Sequence, residues 1–215
     1  MTARPDIIVV CAGGHGRVVI DILRRAGETV AAVVDADPRL HGGDLDGVPI
    51  IGGDDAVFAR KPEDVVLVNA RGNVPRRDVA GLDGRRSLFE RFLARGYIFM
   101  RIISRDAVVS TTAVLEDGCH IITGAIVHPG AVIGMNTIIN TGAQVDHDCR
   151  IGAHSHIAPG VVLCGRVIVG AECHIGAGAV VTQNISIGAG AVIGAGAVVV
   201  TDVAPGATVT GSPAR

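Results

Sequence analysis

Aromatic residues make up only 2 % of this 215-residue chain, and tryptophan is absent. That scarcity points to a narrow interior filled by Ile, Val and Ala. Charge of one sign is missing too: the net charge is −2 and the pI near 6.4, which argues against nucleic acid or anionic membrane as the main partner. Long apolar runs are lacking. The first, Ile7 to Val10, is too short for a signal-peptide core or a membrane span, so a cytoplasmic protein with no membrane partner is expected. Five cysteines follow neither a disulfide nor a zinc spacing. Glycine, by contrast, reaches 30 residues, as a structure made of tight corners requires.

What is abundant is a period of six. From Ile103 to Val199 an aliphatic residue returns every sixth position, seventeen times without a skip. Four residues after each comes a second series (Ala107, Ala113, Cys119 and onward to Val203) that is small or Val-sized at every position but Ile185. An α-helix would turn residues six apart by about 240° and form no apolar face. A flat strand does not run so far unbroken. The remaining solution is a coil with a corner every six residues and three sides per turn, stacked at about the 4.8 Å strand spacing. Five to six coils are expected, with the large aliphatics inside. Cys119, Cys149 and Cys173 fall on the small inward position and read as apolar filler.

Residues 1–100 read as a small α/β domain and residues 101–215 as the solenoid with an irregular tail after Pro205. A buried strand over 6–11 leads into the turn Ala12-Gly13-Gly14-His15-Gly16, then a helix over 17–25 and a strand over 30–34 that ends before Asp35. A Gly-rich first turn with an acidic residue about twenty positions on is a nucleotide-binding pattern, although no glycine follows Gly16 at the third slot. An ordinary tight turn would read the same. Residues 35–49 are expected to form neither helix nor sheet. A short strand at Ile50, a helix near 54–60, a strand over 65–70, a helix over 79–95 and a strand over 97–101 complete a parallel sheet with helices.

The hexad phase sorts the histidines. His147 lies two positions after the inward Val145, so it points outward, and Asp146 and Asp148 flank it. A histidine beside a carboxylate is the layout of a general base; a solvated Asp-His-Asp corner has the same spacing. Gly165 follows one coil later, directly over His147, where a glycine either lets a ligand approach an N–H donor or simply turns a corner. His156 lies half a coil from His147 and so on a different side of the prism; between neighbours around a threefold axis the two could meet. His120, His156 and His174 share one column, but no carboxylate or cysteine joins them to complete a metal site.

At these residues the chain resembles the bacterial sugar O- and N-acyltransferases of the left-handed β-helix class. That class includes sialic acid O-acetyltransferases and the nucleotide-4-amino-sugar N-acetyltransferases of bacillosamine and perosamine pathways. The resemblance rests on residues 12–16, Gly47-Val48-Pro49-Ile50-Ile51-Gly52, Gly72-Asn73 with Arg76, residues 139–149 (Ile-Asn-Thr-Gly-Ala-Gln-Val-Asp-His-Asp-Cys), His156-Ile157-Ala158-Pro159-Gly160, and the closing Gly-Ser-Pro-Ala-Arg. It implies a left-handed coil, a homotrimer with acetyl-CoA as co-substrate between neighbouring helices, and a nucleotide-linked amino sugar held by the N-terminal domain. It also implies roles: His147 as base with Asp148 orienting it, the Gly165 N–H on the thioester oxygen, His156 on acetyl-CoA and Asn140 near the sugar. Gly13, Gly14, His15 and Asp35 would hold the nucleotide. No metal is implied.

The expected reaction is direct transfer of acetyl to the 4-amino group. An inward Cys149 leaves no obvious nucleophile for a covalent acyl-enzyme. Rival readings are an O-acetyltransferase of the sialic-acid type, a zinc enzyme of the same solenoid class and a non-catalytic scaffold. Spacing alone does not select UDP, GDP or dTDP.

Overall fold

The fold is described from a computed structural model covering residues 4–72 and 83–215. The chain opens with β1 (Asp6–Val10), α1 (Gly14–Arg25) and β2 (Val30–Val34). It continues through β3 (Asp44–Leu45), β4 (Val48–Pro49), α2 (Asp54–Phe58), β5 (Val65–Asn69) and α3 (Asp83–Leu93). The central sheet is parallel, in the order β2-β1-β5. In α1 the residues Val19, Ile20, Ile22 and Leu23 are buried, the helical spacing of an inward stripe. The helix ends in an αL glycine, Gly27 at φ +78°, with Gly27 N–H bonded to Arg24 O and Glu28 N–H to Leu23 O. Those two bonds satisfy carbonyls that the helix end would otherwise strand.

The solenoid follows. Two-residue strands recur from Ile102–Ile103 to Val198–Val199 and stack in three parallel sheets. Their register advances by one coil at each step, as in Val127↔Val145↔Leu163↔Val181. From Ile121 to Val199 the expected large residues are buried in one continuous core, with Cys119, Cys149 and Cys173 sealed among them. At each corner from Gly118 to Gly196 the residue three after the large aliphatic has a positive φ. Glycine often fills that place, but Asn136, Asp148, His154, Arg166, Glu172 and Asn184 also hold it at φ between 56° and 62°.

Several expectations need correction. Helix α1 begins at Gly14 rather than Arg17, because Gly13 is the extended residue at its start and its carbonyl accepts from Gly16 N–H. His15 therefore lies in the first turn of a helix. Residues 35–49 are not irregular throughout: Pro38–Leu40 forms a 3₁₀ turn and β3 pairs antiparallel with β4. The hairpin turns at Asp46-Gly47, both at positive φ, the Asp-Gly signature of a tight two-residue turn. Residues 97–101 form a single bridge, Phe99 with Leu67, rather than a strand, and Ile50 likewise only bridges Val33. Of the helix expected over 79–95, residues 79–82 lie outside the described residues, as do Asn73 and Arg76.

The two ends of the solenoid also differ from the repeat. Ile103 is 44 % exposed because no coil lies beneath it. Near the other end the last coil is two residues short, so Val203 pairs with Ile187 and Val209 with Ile193. Val203 thus takes a large-residue place rather than the small one its phase indicated, and one more strand, Thr208–Val209, follows Pro205.

The halves are joined by an apolar seam. Ile102, Ile122 and Ile138 on the outer face of one solenoid sheet pack in the same core as Val19, Ile20, Ile22 and Leu23 of α1. Beside it, the buried Arg85 of α3 donates to Asn136 O at 2.8 Å and to Asn69 O at 2.6 Å, while Asn69 Nδ2 donates to Asn136 Oδ1. Among the described residues this buried guanidinium is held by carbonyls, which ties α3 to the corner at Asn136.

Candidate active site

Two arrangements carry chemistry, and both grow out of the elements just described. The first is a cleft of about 510 Å³ between the α/β domain and the solenoid. Gly13 and Gly14 line it where β1 passes into α1, and a Cβ at either would meet no atom within 4 Å. Gly16 is different: a Cβ there would lie 2.7 Å from Cys11 O, so it serves close packing of α1 on β1. The sequence-indicated Gly13, Gly14, His15, Asp35, Asn140 and His156 all line this one cleft.

Within the cleft several groups are already engaged. Asp35 Oδ2 accepts from Ala12 N–H at 2.7 Å and Oδ1 from Asp37 N–H at 2.8 Å, tying the glycine turn to the loop after β2. Each oxygen keeps a lone pair for a ligand. His15 Nε2 lies 3.0 Å from Nδ1 of His120, with the rings stacked at 5.2 Å. Burial, with the Arg85 charge adding to it, pushes His15 down to about 3 and His120 well below its ordinary range. Both are neutral at physiological pH, one donating and one accepting. His156 Nε2 lies 3.0 Å from Asn140 Nδ2. Arg71, which the sequence did not single out, also lines the cleft; its guanidinium lies against Gly84, where a Cβ would come within 2.6 Å. Among the described residues it forms no ion pair.

The second arrangement is the corner after the strand Gln144–Val145. Asp148 occupies the αL corner position, at φ 58°, and this turns its carboxylate back onto the preceding ring: Oδ2 lies 2.9 Å from His147 Nδ1. Adjacent side chains in a strand would point to opposite faces; the corner brings them together. Asp146 Oδ1 accepts from His147 N–H at 2.6 Å. The backbone is bolted on both sides, with Asp148 N–H bonded to Pro129 O and His147 O accepting from Arg166 N–H.

Gly165 lies where the spacing placed it, and what fills its missing side chain is the His147 ring. A Cβ on Gly165 would lie 2.5 Å from His147 Nε2 and 2.7 Å from Cε1. The Gly165 N–H has no partner among the described residues. A carboxylate oxygen accepts, so Nδ1 carries the proton in this pair and Nε2 keeps its lone pair on the side of Gly165. Cys149 is sealed in the core and its thiol is pushed up to about 11 by burial, so it offers no nucleophile.

The structure does not bring His147 and Gly165 together with His156. The first two stand at a corner between two solenoid sheets, and His156 is on the third sheet, facing the cleft. Ile138 separates His120 from His156 in their column, and no group of three or more His, Cys, Asp or Glu converges on a metal position among the described residues. No helix of the described residues is long and apolar enough to cross a membrane.

Comparison with known proteins agrees with this architecture. Residues 6–80 match the PglD N-terminal domain, and residues 130–165 and 148–183 match the bacterial transferase hexapeptide (six repeats). No curated protein matches the chain. Among solved structures it is similar to a His-to-Ala variant of GDP-perosamine N-acetyltransferase from Caulobacter crescentus, in complex with CoA and GDP-perosamine. That pair shares 37 % identity over 99 % of this chain and 97 % of the other, with a TM-score of 0.90. The acetyltransferase domain of PglB from Neisseria gonorrhoeae, in complex with acetyl coenzyme A, is 36 % identical over 99 % of both chains, TM-score 0.89. WeeI from Acinetobacter baumannii is 28 % identical over 98 % of both, TM-score 0.78.

Proposed function

The chain belongs to the hexapeptide-repeat N-acetyltransferases of nucleotide-linked amino sugars, and we propose that His147 is the base of its acetyl transfer. It uses acetyl-CoA to acetylate the amino group of a nucleotide-linked amino sugar. The observation that carries the assignment is the 2.9 Å bond from His147 Nδ1 to Asp148, which leaves Nε2 as the acceptor beside Gly165.

The chemistry follows from that geometry. The neutral amine attacks the thioester carbon; a C–N bond forms and the carbonyl π pair moves to oxygen. His147 Nε2 takes the amine proton, and Asp148 stabilises the imidazolium that results. The Gly165 N–H supports the tetrahedral oxyanion. Collapse expels the CoA thiolate, which takes up a proton, so amine and thioester become amide and thiol. In the cleft, Gly13 and Gly14 leave room for the diphosphate near the α1 N-terminus, with the Arg71 guanidinium as counter-charge. Asp35 takes a ribose or base group and Asn140 the sugar, beside His15.

One prism holds the base and the sugar cleft on different sides. This supports a homotrimer in which His147 and Gly165 of one subunit complete the cleft of the next, where His156 meets acetyl-CoA. Five free thiols fit a reducing cytoplasm.

The test is CoA release against UDP-, GDP- and dTDP-linked 4-amino sugars and a free sialic acid, with the product's acetyl position read by NMR. Amide formation on one nucleotide-linked sugar is expected; ester formation, or turnover on the free sugar alone, would overturn the reading.

A further inference from the structure

Asp148, like His147, lies against a glycine, in its case one coil before it. A Cβ built on Gly130 would lie 2.5 Å from Asp148 Oδ1, closer than real Cβ contacts come. Backbone conformation does not by itself demand glycine there. Gly130 has φ +73°, yet the same corner place is held by Asp148, Arg166 and Asn184 in the next three coils of its own column. What singles out position 130 is the carboxylate lying over it.

We propose that Gly130 is a positioning residue for the reaction: its bare α-carbon is the seat of the Asp148 carboxylate. The proposal rests on the assignment of His147 as base. The result is a stack across three coils. Gly130 leaves space for Asp148, Asp148 holds His147 Nδ1, and the ring in turn lies in the space left by Gly165. The two glycines bracket the pair one coil below and one coil above, and a Cβ on either would collide with it.

A methyl group at 130 meets the far end of a side chain rather than backbone. The left-handed φ there, though strained for alanine, is one that Asp148, Arg166 and Asn184 adopt in the same column, so it is the carboxylate that moves. Moving Oδ1 draws Oδ2 off Nδ1, because the carboxylate is rigid and planar. Without that acceptor His147 loses its preference for the Nδ1–H tautomer, and the lone pair at Nε2 is no longer assured. Gly130 touches no reacting atom; its whole effect runs through Asp148.

The test compares Gly130→Ala, Asp148→Ala, the double variant and His147→Ala, by CoA release and by the ¹⁵N shifts of the His147 ring in the free enzyme. Gly130→Ala should raise the Nε2–H tautomer and lower kcat by on the order of 10²-fold, the cost of misplacing a catalytic group by about an ångström. The double variant should match Asp148→Ala in rate and tautomer, because the carboxylate that clashes is gone. If Gly130→Ala keeps the wild-type tautomer and rate, or if it lowers the rate of Asp148→Ala by its full factor again, the proposal is wrong. Should Gly130→Ala not fold, the double variant still decides, since it folds only if the obstacle is the carboxylate. An active His147→Ala would sink the base assignment while leaving the tautomer comparison to judge Gly130.

Discussion

The His147 ring rests on the α-carbon of Gly165, so near that a Cβ there would stand 2.5 Å from Nε2. The ring proposed as the base is thus located by the absence of a side chain one coil away. Gly165 is not among the glycines at positive φ, so alanine there strains no backbone. Gly165→Ala is expected to fold, keep its thermal midpoint within a few degrees and lose about 10²-fold in kcat as the ring is pushed aside. Thermal unfolding together with CoA release checks both halves.

In the proposed mechanism Asp148 acts on the tautomer rather than on the substrate. Asp148→Asn places an amide beside Nδ1 that can donate as well as accept, and so favours the wrong tautomer. It should reduce kcat by about 10-fold or more, up to the ~10²–10⁴ of the base itself, with the KM for acetyl-CoA unchanged. A rise in KM with kcat untouched would show instead that Asp148 binds co-substrate.

The His15–His120 pair links stability to pH. Both are depressed by burial in the folded chain, His15 to about 3, against about 6.5 when unfolded. Between those values the unfolded chain binds protons that the folded chain refuses. Stability therefore falls as pH drops below 6.5 and is level above it, by at most ~1.4 kcal/mol per pH unit for each histidine. His120 is sealed from solvent and carries most of this; His15 opens onto the cleft, where solvent reduces its share. Urea midpoints from pH 7 to 4.5 should fall more steeply for the wild type than for His120→Gln, which keeps a hydrogen-bonding side chain but does not titrate there. Parallel slopes would contradict the pairing.

Position along the solenoid should set the cost of a truncation. Ile139 and Ile157 are fully buried, whereas Ile103 is 44 % exposed at the open end. Ile157→Ala should destabilise by ~2–5 kcal/mol and Ile103→Ala by well under half of that in denaturant unfolding.

Much of this molecule is legible in its sequence, because a six-residue repeat fixes which way each side chain faces. The inward column, the outward His147, the stacking of Gly165 over it and the remoteness of His156 all follow from counting. Gly130 was within reach of the same arithmetic, one coil before Asp148 rather than after His147. What counting cannot supply is the direction of a side chain at a corner. Asp148 reaches His147 only because the corner residue is αL, and neither residue's identity states that. The α/β domain is less transparent, since its contacts are not periodic. The His15–His120 bond joins residues 105 apart, and Arg85 finds its partners among carbonyls of Asn69, Arg71 and Asn136. The Asp46-Gly47 hairpin is the exception, a local signal inside a stretch whose composition reads as loop.

The most direct test of the account is the turnover of acetyl-CoA by His147→Ala, measured as thiol release with the best nucleotide-amino-sugar acceptor. His147 is exposed at its corner, so its removal leaves the fold intact. The account predicts a fall of ~10²–10⁴ in kcat with circular dichroism unchanged. A folded His147→Ala enzyme that turns over at the wild-type rate would contradict it.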